Sequence, residues 1–465
     1  MTVLTFDFGT SATKVGLWSG ATLVALTRAP IETRHPAPGY AEQDPEAWWR
    51  AAVDAAAAAR AAAPDEYARV QTIAASTARE TFTCVDDQLR PLTPGLLWSD
   101  TRAGDEVATL GDPVAFRART GVQATPGCCA AKIAWLRARE PERFREAAWL
   151  LGPRDLVFAR LTRRVETDPT VASRTGLYAL DGEYLGDEAL AARLPAVASS
   201  LEPGPVAHPD LLGLPAGVVA VLGAGDRACE AVGVAATPTD PLLSFGTTAN
   251  VSTPHPGPAA RLPSVAQVSR TVDGGYLVEA GLSAAGSALD WLASLTGRSR
   301  DELLRGAAQV PPGAGGLLAL PWLQGARAPW WQPEARAVFA GVTSAHGPAE
   351  VARALLEGIA FDAARSLELV TPAAHRVMLA GAGARNSTWA AIVAAVAGHD
   401  VARRHLDDAA SAGARLLAGR SGIEAVTAED VNPVAAVAAP DTRLVEAYRP
   451  VRAASDALAA RLLGT

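Results

Sequence analysis

The sequence predicts an α/β protein built from two similar domains, and three observations carry that expectation. At 465 residues the chain is longer than one ordinary core fills, and it suits two units of roughly 200 residues each. Strand-like and helix-like stretches alternate along it. A short motif also recurs at the start of each half: Phe8-Gly9-Thr10-Ser11-Ala12 and Phe245-Gly246-Thr247-Thr248-Ala249. Each copy follows a short apolar strand and precedes another, the placement expected of a duplicated domain. The boundary falls in the linker-like stretch Ala236–Pro241, giving domains of residues 1–238 and 239–465.

Composition narrows the function. Hydrophobic residues make up 49% and charged residues 20%, a globular balance. The formal charge of −7 provides no broad cationic surface, so neither nucleic acid nor an anionic membrane is an expected partner. The first residues lack the basic stretch of a secretory signal, and no run of about 18 uncharged apolar residues occurs. Four cysteines, Cys84, Cys128, Cys129 and Cys229, form no CxxC pair and no metal-ligand spacing, which fits a reducing cytoplasm.

The elements follow in order. Val3–Phe8, Ala12–Trp18 and Thr22–Leu26 read as a three-stranded meander split by Gly9-Thr10-Ser11 and Ser19-Gly20. Asp44-Pro45-Glu46 opens an Ala-rich helix with Asp44 as N-cap and Pro45 at its first position. Residues 70–75 form a buried strand, and Phe82–Leu89 a hairpin or tight turn. Strands and helices alternate through Gly233, with the apolar strand 218–222 running into Gly223-Ala224-Gly225-Asp226. A helix is expected over 227–234.

Four stretches carry chemistry. Asp7-Phe8-Gly9-Thr10-Ser11-Ala12-Thr13-Lys14 places a glycine, two hydroxyls, an acid and a lysine on one strand–turn–strand. Its backbone N–H groups suit phosphate oxygens, and its acid suits a water-held Mg²⁺. Ser244–Thr248 is a second turn of the same kind. Asp226 stands at the end of a buried strand, where a carboxylate either accepts a hydroxyl proton or caps the next helix. Gly381–Asn386 is a small-residue turn after a strand, open enough for an adenine ring or simply a strand-to-helix connection. Trp48-Trp49, Trp98 and Trp330-Trp331 are either core residues or aromatic walls, and one member of each adjacent pair must face away from the core. Of the 42 basic residues only Lys14 and Lys132 are lysines. Lys14 lies inside the first motif; Lys132, ahead of Ile133-Ala134-Trp135-Leu136, reads as a stem laid over apolar surface. A Walker P-loop, a dinucleotide fingerprint and H-E-x-x-H are all absent, and Ser11-Ala12-Thr13-Lys14 lacks the partners of a serine acyl-transferase.

In this order the motifs resemble those of the FGGY carbohydrate kinases over nearly the whole chain. Asp7–Lys14 is similar to their first phosphate loop, Ser244–Thr248 to the second and Gly381–Asn386 to the adenosine segment. Glu42-Gln43-Asp44-Pro45-Glu46-Ala47-Trp48-Trp49 resembles the segment typical of xylulokinases. The stretch from Gly325 through Gly341 to Gly358 resembles the C-terminal signature. The resemblance implies two ribonuclease-H-like domains of the actin type flanking a central cleft, and transfer of a phosphoryl group from ATP, with Mg²⁺, to a sugar hydroxyl. It implies Asp226 as base and Asp7 with Asp226 on the metal side. Thr10, Ser11, Lys14, Gly246, Thr247, Thr248, Gly286, Asp290, Gly381, Arg385 and Asn386 fall to ATP. Arg79, Glu80, Trp98, Asp226 and Arg227 fall to the substrate. Substrate choice splits: Arg79-Glu80-Thr81 resembles glycerol kinases, whereas Thr125-Pro126-Gly127-Cys128 resembles xylulokinases. A ketose such as xylulose, a sugar acid and a glycerol- or erythritol-type polyol are the alternatives, with a small-molecule substrate throughout and a homodimer left open. The reading from another class is an inactive nucleotide-binding regulator on the same fold.

Overall fold

The computed structural model describes residues 1–257 and 266–464. They gather into two compact units. The first holds Met1–Gly233, Gln267–Leu277 and Ala409–Val431; the second holds Val234–Ala266, Val278–Asp408 and Asn432–Thr465. The chain first crosses between units at Gly233–Val234, and two later segments return to the first unit.

In the first unit six strands lie in the order Gly204–Pro205, Val219–Gly225, Val70–Thr77, Thr2–Phe8, Ala12–Ser19 and Thr22–Pro30. Thr2–Phe8 pairs antiparallel with Ala12–Ser19 and parallel with Val70–Thr77. Val219–Gly225 is parallel to Val70–Thr77, and Gly204–Pro205 closes the edge antiparallel. The second sheet has seven strands in the order Gln267–Arg270, Tyr276–Gly281, Ala249–His255, Leu242–Phe245, Arg376–Ala380, Asp400–Arg404 and Val434–Ala438. Leu242–Phe245 pairs antiparallel with Ala249–His255 and parallel with Arg376–Ala380. Asp400–Arg404 continues in parallel, and Val434–Ala438 closes the edge antiparallel. Around Thr2–Phe8 and Leu242–Phe245 the two sheets repeat one wiring, an antiparallel hairpin partner on one side and a parallel strand on the other, so the repeated motif occupies the same turn in each.

The first sheet packs Leu4, Phe6, Val15, Leu17 and Ile73 against a helix, Pro45–Ala62, whose buried face is almost entirely alanine. Small side chains at that spacing let helix and sheet approach closely. Asp44 caps this helix as expected, its side chain accepting the Glu46 amide at 3.0 Å. The second unit is centred on Pro348–Val370, buried along most of its length.

Local differences have local causes. Thr83–Val85 pairs with Trp149–Leu151, and Val85 also bridges Pro91 across the expected tight turn, which Asp86 N–H closes onto the Arg90 carbonyl at 3.0 Å. Between residues 100 and 200 the expected alternation is weak. Strands there are two or three residues long and helices carry most of the structure. Trp48 is buried while Trp49 lies partly exposed beside the Arg160 guanidinium, so that pair divides as expected. Trp330 and Trp331 are both partly buried, each packed on a different apolar cluster.

Candidate active site

The strand register assembles the first candidate cluster. Lys14 lies directly opposite Asp7 on the antiparallel neighbour, and Ser76 directly opposite it on the parallel one. Lys14 Nζ stands 3.2 Å from Asp7 Oδ2, and Ser76 Oγ donates to Oδ1 at 2.9 Å. The turn is tight: Gly9 N–H meets the Asp7 and Ala12 carbonyls at 3.0 and 3.1 Å. Outside the turn, Gln43 Nε2 donates to the Thr10 carbonyl at 2.6 Å, and Gln43 Oε1 accepts from the buried Trp48 indole at 2.8 Å. The Glu42–Trp49 segment therefore supports the first turn. Trp98, an exposed aromatic, donates from its indole to Thr10 Oγ1 at 2.9 Å, which joins a substrate candidate to a phosphate candidate. Ser11 Oγ accepts from Arg28 at 3.3 Å.

Asp226 is the first residue of the helix Asp226–Gly233, directly after the strand Val219–Gly225. One oxygen, Oδ1, accepts both Arg79 Nε at 3.0 Å and the Arg227 amide at 2.8 Å. Among the described residues Oδ2 makes no hydrogen bond, and the side chain is 35% exposed. The structural and chemical readings of Asp226 are thus compatible, since one oxygen bonds the first-turn Arg227 amide and the other remains. The Arg227 guanidinium pairs with Glu230 at 2.6 Å. Burial opposes its charge, but Glu230 and Asp226 outweigh burial and hold its pKa above the usual value.

The glycines before Asp226 serve the protein rather than a ligand. Gly223 has φ +71° at a break in strand register, and a Cβ there would stand 1.9 Å from the Ala75 carbonyl oxygen. A Cβ on Gly225 would stand 2.5 Å from the Arg79 Cδ. Backbone and the Arg79 stem fill the space beside these glycines and leave no room there for a substrate carbon chain.

Glu80 is held in the left-handed region, φ +57°, and its carboxylate accepts from Arg174 at 3.0 Å. Arg174 lies far along the chain and carried no signal in the sequence. Two of its nitrogens, Nε and Nη1, are buried without a hydrogen-bond partner among the described residues. Lys132 corrects another expectation: its stem does not lie over apolar surface. The side chain is completely buried, and its ammonium bonds to main-chain carbonyls.

In the second unit Gly246, Thr247 and Gly286 come together. Gly286 N–H donates to the Gly246 carbonyl at 3.0 Å, and Ser287 N–H to the Thr247 carbonyl at 2.9 Å. Gly246 N–H bonds to the Thr248 carbonyl at 3.0 Å, closing the turn. Asp290 is engaged in an ion pair with Arg300, and Arg385 in one with Asp407. Asn386 caps the helix Ser387–Ala397 through the Trp389 amide at 2.8 Å. The open space expected at Gly381 and Gly383 is taken by Phe245: Cβ atoms there would stand 2.5 Å from its carbonyl oxygen and 2.7 Å from its Cβ. Phe245 in turn stacks on Trp389 with centroids 4.2 Å apart. The adenosine-like segment and the second turn are thereby packed as one piece.

No helix among the described residues is long and apolar enough to cross a membrane. Residues 2–233 match the N-terminal domain and residues 242–422 the C-terminal domain of the FGGY family of carbohydrate kinases. The chain is 33% identical to the xylulose kinase of Escherichia coli strain K12, over 89% of this chain and 88% of that protein. It is 30% identical to the glycerol kinase of Rhodospirillum centenum, over 90% of this chain and 89% of that protein. The crystal structure of xylulose kinase from Rhodospirillum rubrum superimposes with a TM-score of 0.88 at 28% identity, covering 99% of both chains. With both domain matches in order and relatives of 30% identity or more over about nine-tenths of the chain, the chain belongs to the FGGY family of carbohydrate kinases, enzymes that phosphorylate a small sugar at the expense of ATP.

Proposed function

We propose that this kinase phosphorylates a hydroxyl of a small ketose of the xylulose type, with Asp226 as the general base. The observation that carries the reading is the division of labour at Asp226. Oδ1 is committed to Arg79 and to the helix amide, which fixes the carboxylate, while Oδ2 keeps its lone pairs for a substrate proton. Phosphoryl transfer depends on positioning and charge neutralisation more than on covalent steps, so a held carboxylate is the group the reaction needs. Arg79 and Glu80 would bond neighbouring sugar hydroxyls as donor and acceptor, with Trp98 as the apolar wall and Arg227 alongside. Thr10, Ser11 and Lys14 in the first unit would bind phosphate oxygens, and so would Gly246, Thr247 and Thr248 in the second. Gly286, Asp290, Gly381, Arg385 and Asn386 would border the nucleoside.

The chemistry of Asp7 fits Mg²⁺. Asp7 is a hard oxygen ligand next to Ser76 and Lys14, and no cluster of three metal-ligating side chains occurs among the described residues. That suits an ion that relies on one or two carboxylates, water and phosphate oxygens rather than a protein cage. Asp7 and Asp226 would hold it through water; when bound, Mg²⁺ neutralises phosphate charge. Four buried thiols, none in a disulfide, accord with a cytoplasmic location.

Relatives named xylulose kinase support the ketose, whereas Arg79-Glu80-Thr81 and the 30% identity to a glycerol kinase favour a polyol as the second reading. A coupled ADP-release screen over pentuloses, hexuloses, short polyols and aldonic acids separates them, the highest kcat/KM being expected for a pentulose. On that substrate, Asp226→Asn should lower kcat by about 10²–10⁴-fold while melting temperature and ATP binding stay unchanged. Asn caps helices about as well as Asp, so intact turnover in this variant would leave Asp226 a cap and nothing more.

A further inference from the structure

Lys132 sits on the helix Cys129–Arg139, fully buried at 0% exposure. Among the described residues it forms no ion pair. Its Nζ instead donates to two main-chain oxygens, the Glu80 carbonyl at 2.6 Å and the Leu97 carbonyl at 2.6 Å, and lies 5.8 Å from the Phe82 ring centroid. Burying an ammonium is costly, and burial pushes its pKa down against the opposing pull of Cys129, Glu80 and Asp100. A helix that needed only to pack would carry a leucine or methionine here.

Both carbonyls belong to segments that carry sugar candidates. The Glu80 carbonyl closes a residue whose φ of +57° favours glycine, directly after Arg79. Such a conformation persists only where its surroundings over-determine it. The Leu97 carbonyl directly precedes Trp98, whose amide donates to Thr81 Oγ1 at 3.1 Å. The ammonium therefore bridges the Arg79–Thr81 segment and the segment that leads into Trp98.

We propose that Lys132 is a positioning residue for the sugar: its ammonium ties the Glu80 and Leu97 carbonyls together and so sets the separation of Arg79 and Glu80 from Trp98. This rests on the reading of those three as sugar contacts. A compact ammonium meets two converging carbonyls, where a planar guanidinium fork does not fit.

The test uses the full chain with Lys132→Met, Lys132→Arg, Glu80→Ala and the double variant Glu80→Ala/Lys132→Met. In Lys132→Met the sugar KM should rise about tenfold or more while ATP KM stays within about twofold. Amide exchange should quicken at residues 80–82 and 97–98. Lys132→Arg should show the same split between the two KM values. In the Glu80→Ala background the Lys132→Met change should add little further loss, because both act through one turn. A Lys132→Met enzyme with wild-type sugar KM and unchanged amide exchange, whatever its melting temperature, overturns the proposal. An equal rise in both KM values overturns it as well. If Lys132→Met fails to fold, wild-type sugar KM in Lys132→Arg overturns it. If Glu80→Ala leaves sugar KM unchanged, the sugar-contact reading falls, and amide exchange in the lysine variants alone decides whether the tie exists.

Discussion

Asp7, Lys14 and Ser76 are three residues far apart in two cases and brought into line by strand register alone. Lys14 and Asp7 were legible because a hairpin places them opposite each other, and because lysine is rare in this chain. Ser76 was not, since parallel pairing with a distant strand has no local signature. Lys14→Ala should raise ATP KM or lower kcat by about tenfold while sugar KM holds within about twofold. The Lys14–Asp7 pair is partly exposed, so little stability should go with it. Steady-state kinetics with each substrate varied in turn check this, and an unchanged ATP KM together with an unchanged kcat would remove Lys14 from the phosphate site. Glu80 and Arg174 show the reverse situation. Glu80 was found by resemblance, whereas its partner lay beyond the reach of any spacing argument.

At the scale of elements, the strand Val219–Gly225 delivers Asp226, and a buried network ends that strand. Gly225 N–H donates to Thr170 Oγ1 at 2.7 Å, Thr170 Oγ1 donates to Asp168 Oδ1 at 2.5 Å, and Arg154 holds the other Asp168 oxygen at 2.5 Å. All three side chains are essentially excluded from solvent. Thr170→Val keeps the shape but leaves the Gly225 amide and an Asp168 oxygen short of a partner, which should cost about 1–3 kcal/mol. Thr170→Ser keeps the hydroxyl and should recover most of it. Denaturant midpoints for the pair check this; equal midpoints for valine and serine would show that the hydroxyl carries no weight. The strand was readable from its apolar run, and Asp226 from its place at the strand's end. The register break at Gly223 and the Thr170 prop were not, because each depends on what the neighbouring strand and helix present.

For the molecule as a whole, the two returning segments matter most. The helix Ala409–Ala418 packs against Asp226–Gly233 within the first unit through two glycines. A Cβ on Gly413 would stand 1.9 Å from the Cys229 carbonyl oxygen, and one on Gly233 1.9 Å from the Ala409 carbonyl oxygen. Backbone meets backbone there, with no flexible side-chain end to give way. Gly413→Ala should therefore destabilise by about 1–3 kcal/mol or more, as overpacking does. The denaturation midpoint measures it, and an alanine variant as stable as the parent would show that the helices separate at little cost. Because Asp226 opens the helix Asp226–Gly233, this contact also links a late segment of the chain to the helix of the proposed base.

The sequence by itself determined the duplicated α/β plan, the two Gly-Thr hairpin turns, the Asp44 cap and the strand-end position of Asp226. Those features rest on local propensity, hydrophobic period and short motifs, all of which act between near neighbours along the chain. Tertiary structure alone decided which oxygen of Asp226 is free, why Glu80 can hold φ +57°, what fills the space beside Gly225 and Gly381, and that Lys132 is a buried tie rather than a surface stem. Each of these depends on a partner tens to hundreds of residues away. Burial then makes the pairing obligatory, because an unpaired polar group inside the protein costs more than a paired one returns.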